Sequence, residues 1–214
     1  MQKSESFLLS ALLSFSGGLQ DAYTYTVRGK VFANAQTGNV VLMSQNLMCG
    51  QWSQGLYYLC PLLSFSLGVF IAERIENRFK ENKLLHWQQI ILLIEMITLA
   101  LVGLLPNRFD MVANMLVSFS CAMQVQTFRK VQGYAYASTM CIGNLRSGTE
   151  SLSEYFRSRD KMALRKALSL FGIILVFAIG AGTGGILSGV FGIRTIWISV
   201  AILLVVTLIM AKEA

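Results

Sequence analysis

From Val31 to Ala72 the chain runs for forty-two residues without one charged side chain. A run of that length leaves few options, because a water-soluble fold needs charged positions to separate and solubilise its elements. A soluble domain usually carries about 25% charged residues, whereas this chain of 214 residues carries 14%, against 54% hydrophobic residues. Similar runs recur from Ser6 to Gln20, Met111 to Phe128, Ala167 to Ile193 and Thr195 to Ala211, and the run from Leu84 to Asn107 is broken only by His86 and Glu95. Several reach the roughly 20 residues that carry a helix across about 30 Å of hydrocarbon. The composition therefore predicts an all-α protein embedded in a lipid bilayer.

The net charge of +7 does not point to nucleic acid, since the basic residues cluster between apolar runs, as they do in the cytoplasmic loops of bacterial membrane proteins. Lys3 followed by "SFLLSALLSFSGG" imitates a signal peptide, but mostly further apolar segments follow, so it reads as a first span. Cys49, Cys60, Cys121 and Cys141 lack metal-ligand spacing and fall in or beside apolar segments. Neither metal, disulfide nor cofactor is expected.

Eight apolar pieces can be drawn, at 6–27, 38–49, 53–75, 85–106, 109–129, 143–156, 164–190 and 193–211. The pieces at 38–49 and 143–156 are too short to span, and the second contains Arg146, Glu150 and Glu154. Eight crossings would place nine Lys and Arg on one side and eight on the other, with Arg146 inside a span. If the short pieces dip in and return, one side collects fourteen, among them Lys3, Lys80, Lys83, Arg129, Arg146, Lys161 and Lys212, and leaves Arg28, Lys30, Arg108 and Arg194. The bias favours six crossings, both termini cytoplasmic, and a bacterial plasma (inner) membrane location.

The chain also repeats itself. "SFSGGLQDAYTYTVRGKVFANAQTGNV" is echoed about 104 residues later by "SFSCAMQVQTFRKVQGYAYASTMCIGNL". Ser14-Phe15-Ser16 pairs with Ser118-Phe119-Ser120, Gln20 with Gln124, Gly29 with Gly133 and, after one inserted residue, Gly38-Asn39 with Gly143-Asn144. Phe65, Leu67 and Gly68 resemble Phe177, Ile179 and Gly180. With three crossings per half, residues 1–106 and 107–214 form a 3+3 inverted-topology repeat within one membrane domain. Each half holds a non-spanning half-helix, and binding sites in such folds lie near the midplane where half-helices meet.

Irregular backbone at membrane depth must face protein or a water-filled cavity. Asn34, Gln36, Thr37, Gly38 and Asn39 therefore read as inward-facing, with Thr37 as N-cap of a helix beginning at Gly38. That helix and its counterpart after Gly143 aim their N–H groups at the protein centre, which suits an anion or a polar neutral solute. Gln20, Gln124, Thr139, Gly143 and Asn144 complete the expected solute pathway. Asp21, whose repeat equivalent is Val125, is either a proton- or cation-coupling group or a hydrogen-bond anchor for the Thr37 loop. Glu95 is either a protonatable pathway residue or a buried partner for a basic residue. Gly180, Gly184, Gly185 and Gly189 read as packing positions, and Trp52, Trp87 and Trp197 as interfacial aromatics. His86 stands alone, and no Walker loop, nucleophile elbow or paired catalytic constellation is present, so no enzyme activity is expected.

"GGLQDAYTY", followed by "VFANAQTGNVVLM", Gly50 and "LSFSLG" ending at Gly68, resembles the YoaK-like family of bacterial multi-pass membrane proteins, a domain-of-unknown-function family. The resemblance covers nearly the whole chain and implies integral-membrane architecture without naming a substrate. Members carry a related Thr-Gly pattern in the second half, where this chain has Ile142 before Gly143. The expected function is transport of a small anionic or polar solute between the two half-helices. The expected partners are lipid and a small-molecule or ion substrate, with self-association into a homo-oligomer left open. A channel of the same architecture and a non-transporting scaffold or sensor are the alternatives.

Overall fold

The computed structural model describes residues 5–80 and 86–211, so Lys3, Lys83 and Lys212 of the charge tally lie outside the described residues. Among these, eight α-helices follow one another: α1 (Phe7–Val27), α2 (Gln36–Met48), α3 (Trp52–Phe79), α4 (Trp87–Val102), α5 (Asp110–Thr127), α6 (Cys141–Ser158), α7 (Lys161–Phe191) and α8 (Ile196–Ala211). Two helical stretches are long and apolar enough to cross a membrane: α3, and the stretch from Lys161 to Ala211 made by α7, a 3₁₀ turn at Gly192–Thr195 and α8. Helix α4 is apolar but shorter, at 16 residues.

Local signals set several of these boundaries. Ser6 Oγ accepts the Leu9 N–H at 3.3 Å at the start of α1, and Asp160 Oδ1 accepts the Met162 N–H at 2.9 Å at the start of α7. Both satisfy a helix donor that has no intrahelical acceptor. Thr37 does not do this. Helix α2 begins at Gln36, with Ala35 at the N-cap position and no side-chain cap, which places Thr37 inside the first turn. Helix α6 likewise begins before Gly143 and is longer than the apolar pattern predicts, because its serine, glutamate and arginine positions continue the helix along an exposed face.

The helices pack in a scheme that maps onto itself. Helix α1 packs on α7 as α5 packs on α3, α2 on α3 as α6 on α7, and α4 on α5 as α8 on α1, while α4 and α8 pack on each other. Exchanging each element with the one four helices later returns these pairings, except that α3 also touches α4 whereas α7 and α8 meet through the 3₁₀ turn between them. Close glycine contacts follow the same rule. A Cβ on Gly180 would collide with the Phe15 carbonyl, and one on Gly68 would lie 2.5 Å from the Phe119 carbonyl oxygen. Gly184 faces Leu19 in the same α1–α7 contact, whereas Gly185 and Gly189 face open space. The main apolar core lies between α1, α4, α5 and α8, built from residues such as Leu13, Tyr23, Leu99, Val117 and Leu203. Trp52 and Trp197 are exposed, but Trp87 is buried with Ala72, Ile91 and Met123.

Each of α1 and α5 ends in an irregular link that reverses through left-handed backbone. Gly29 and Gly133, paired by the internal repeat, have φ of 82° and 83°. A side chain is disfavoured in that conformation, which accounts for glycine in both halves. In the second link Gln132 (φ 50°) and Gly133 close a two-residue hairpin between β1 (Lys130–Val131) and β2 (Tyr134–Ala135), with Val131 opposite Tyr134.

Candidate functional site

A cavity of about 1100 Å³ lies where the two links approach each other. Its wall includes Asn34, Gln36 and Thr37 from the first link and α2, and Thr139, Gly143 and Asn144 from the second link and α6. The first turns of both α2 and α6 thus border one space, although in α2 the Gln36 N–H already donates to the Asn34 carbonyl at 2.8 Å and the Gly38 N–H to the Ala35 carbonyl at 3.0 Å. Helix α1 contributes Asp21 and Tyr25, helix α3 Phe65 and Ser66, and helix α7 Phe177. Asp21 is the only charged side chain in the wall among the described residues.

Side-chain amides hold both links in shape. Asn39 Nδ2 donates to the Phe32 carbonyl at 2.8 Å, seven residues upstream, and to Gln36 Oε1 at 2.9 Å. Asn144 Nδ2 donates to the Ala137 carbonyl at 2.7 Å, also seven residues upstream, and Asn144 Oδ1 accepts the Ala137 N–H at 3.1 Å. Asp21 Oδ1 accepts the Asn34 N–H at 2.8 Å, and Asn34 Nδ2 donates to the Gly17 carbonyl at 3.2 Å. The first link is therefore tied to α1 through Asp21 and Asn34, two residues before α2 begins. Buried oxygens without a hydrogen-bond partner remain at Asn34 Oδ1 and Thr139 Oγ1.

The other expected pathway residues sit elsewhere. Gln20 and Gln124 are buried away from the cavity wall. Gln20 Nε2 donates to Ser16 Oγ at 3.0 Å, and Gln20 Oε1 accepts from the Cys121 thiol at 2.9 Å. Gln124 Nε2 donates to Ser138 Oγ at 2.8 Å and to the Leu13 carbonyl at 3.3 Å. Gly38 and Asn39 lie outside the wall, the first against the Phe32 ring and the second fully buried in the link. Glu95 is 1% exposed and neither carboxylate oxygen has a partner, so no basic residue pairs with it among the described residues.

Sequence reasoning missed two features. The first is the aromatic wall. Tyr25 and Phe32 stack with ring centroids 4.8 Å apart, and Phe65 and Phe177, matched in the repeat, both border the cavity. Their equivalence was the available signal. The second is Arg28, treated above as an outer-loop cation. Its side chain is fully buried, its Nη1 is 2.9 Å from Asp110 Oδ1, its Nη2 donates to the Val102 carbonyl at 2.8 Å, and its Nε donates to the Tyr23 hydroxyl at 2.8 Å. No sequence signal links Arg28 to Asp110, 82 residues away.

Apolar helices of spanning length are those of a helical membrane protein, here with a cavity between two irregular links. The chain belongs to the family described as "Protein of unknown function (DUF1275)", which it matches over residues 9–209. It is similar to the UPF0700 transmembrane protein YoaK of Bacillus subtilis (strain 168), with 29% identity over 184 residues that cover 81% of this chain and 80% of that protein. No solved structure matches it.

Proposed function

We propose that the protein is a small-solute transporter of the bacterial plasma membrane, without enzymatic activity, and that its solute is held in the cavity between α2 and α6. The observation that carries this reading is a single space bordered by both links and by the first turns of α2 and α6. The self-mapping helix packing supports six crossings arranged as two inverted three-helix repeats, since such repeats place a solute site at their interface. Between the anionic and polar solutes that helix N-termini suit, the wall favours a solute that is not anionic, because among the described residues no Lys, Arg or His lines it.

The test needs no knowledge of the solute. In a background lacking Cys49, Cys60, Cys121 and Cys141, the Ser66→Cys and Thr37→Cys variants should react with a membrane-impermeant thiol reagent from at least one side of intact vesicles. Failure of both to react from either side would mean that water does not reach the cavity, and would leave the scaffold reading. Once a permeant solute is found, flux that saturates and is accelerated by solute on the far side marks a carrier, and flux linear in concentration marks a channel.

Orientation is tested in the same background. The charge bias puts Lys80 and Lys161 in the cytoplasm. Lys80→Cys and Lys161→Cys should be protected from the external reagent in intact cells and react after permeabilisation, while Gln54→Cys reacts from outside. External labelling at Lys80→Cys would overturn the six-crossing orientation.

A further inference from the structure

We infer that the cavity selects an amphipathic monovalent cation, one whose ammonium or comparable cationic head meets Asp21 while its apolar body lies against the aromatic wall. The inference rests on the transport reading only for its purpose, since it concerns equilibrium occupancy of the cavity. Three observations converge on it. Among the described residues, Asp21 is the only charged side chain in the wall and no Lys or Arg forms a salt bridge with it. The wall is otherwise mostly apolar, with Phe32, Phe65, Phe177, Tyr25 and Leu62 among its members. On residues that line the same cavity, Asn34 Oδ1 is a buried acceptor without a partner, and the unpartnered Thr139 hydroxyl can accept as well as donate.

The first turns of α2 and α6 pull in the opposite direction, since a helix N-terminus attracts negative charge. For α2 that attraction is already served from within the chain. Asp21 Oδ1 takes the N–H of Asn34, two residues before Gln36 starts the helix, so the anion favoured at this end is the protein's own carboxylate. A second anion in the same space would meet that carboxylate. A cation would pair with it, and the faces of aromatic rings carry negative potential that adds to the attraction. The cavity of about 1100 Å³ exceeds what a bare metal ion needs and suits an organic cation with a ring-sized body.

The experiment uses two probes of nearly the same size and shape but opposite charge, tetraphenylphosphonium and tetraphenylborate. Equilibrium dialysis against the detergent-solubilised full chain, with micelles alone as background, reads binding without requiring transport. Tetraphenylphosphonium should bind saturably and at least ten-fold more tightly than tetraphenylborate. Asp21→Asn should weaken the phosphonium by ten-fold or more and leave the borate unchanged or tighter. Because Asp21 also ties down the first link, Phe65→Leu is measured beside it. That variant keeps the wall apolar, removes one aromatic face and should weaken the phosphonium several-fold. Equal affinity for the two probes, or phosphonium binding indifferent to both substitutions in folded protein, would overturn the inference. Binding with the expected charge preference but no flux in proteoliposomes would remove the transport reading and leave this one standing. Flux of neutral solutes without phosphonium binding would do the reverse.

Discussion

Replacing Arg28 by alanine is expected to destabilise the protein by about 3–5 kcal/mol, the range seen when one partner of a buried ion pair is removed. The reason is the number of groups that this side chain serves at once. Its guanidinium meets the Asp110 carboxylate, the Val102 carbonyl and the Tyr23 hydroxyl, and so joins the ends of α1, α4 and α5. The alanine variant strands all three partners, of which Asp110 is only 22% exposed. The Arg28 backbone carbonyl, which accepts from Asn114 Nδ2 at 2.6 Å, holds α5 from the same point and is unaffected by the change. Arg28→Lys keeps the charge but not the planar fork that reaches several acceptors, so it should fall between wild type and alanine. Asp110→Asn leaves an acceptor but removes the counter-charge of a fully buried guanidinium, and should also destabilise the protein. Melting temperature and monodisperse yield in detergent read the series. An Arg28→Ala variant that melts with wild type would mean that the knot does not hold these helices together.

The helices were legible in the sequence because hydropathy was enough to find them. The piece drawn at 6–27 is α1 at Phe7–Val27, and the piece at 109–129 is α5 at Asp110–Thr127. Helix ends that depend on backbone geometry were less legible. Thr37 before Gly38 carries the residue pattern of a cap, but the Asp21 hydrogen bond to Asn34 fixes the link earlier and the helix starts at Gln36. The pairing of β1 with β2 was missed, although Gln132-Gly133 between Val131 and Tyr134 is a two-residue turn with positive φ at both positions. The polar half of the site was visible because asparagine, threonine and aspartate stand out in an apolar run. Its aromatic half was marked only by the repeat equivalence of Phe65 and Phe177, which otherwise look like any other apolar residues of a membrane helix until the fold places them on one wall. The Arg28–Asp110 pair depends on tertiary approach alone, and local pattern carries no trace of it.

Gly180→Val is the other change expected to have a large effect, and it tests the helix packing directly. Helix α1 meets α7 backbone to backbone at this point, where a Cβ on Gly180 would run into the Phe15 carbonyl and lie 2.9 Å from the Phe15 Cα. The obstacle is main chain and cannot turn aside as a side chain would, so the helices must part. Overpacking of this kind costs about 1–3 kcal/mol and occasionally more. The same helix supplies its own controls. A Cβ on Gly185 or Gly189 meets nothing within 4 Å, so Gly185→Val and Gly189→Val change composition and helix propensity in the same way without the collision. Gly68→Val extends the test to the other half, because its Cβ would lie 2.5 Å from the carbonyl oxygen of Phe119, the residue that the internal repeat pairs with Phe15. Gly180→Val and Gly68→Val should both lose folded yield and melting temperature by similar amounts, while the two controls stay near wild type. Loss at Gly180 with none at Gly68 would break the equivalence of the two crossings. Equal behaviour of all four variants would mean that small residues at these positions are not what lets the helices approach.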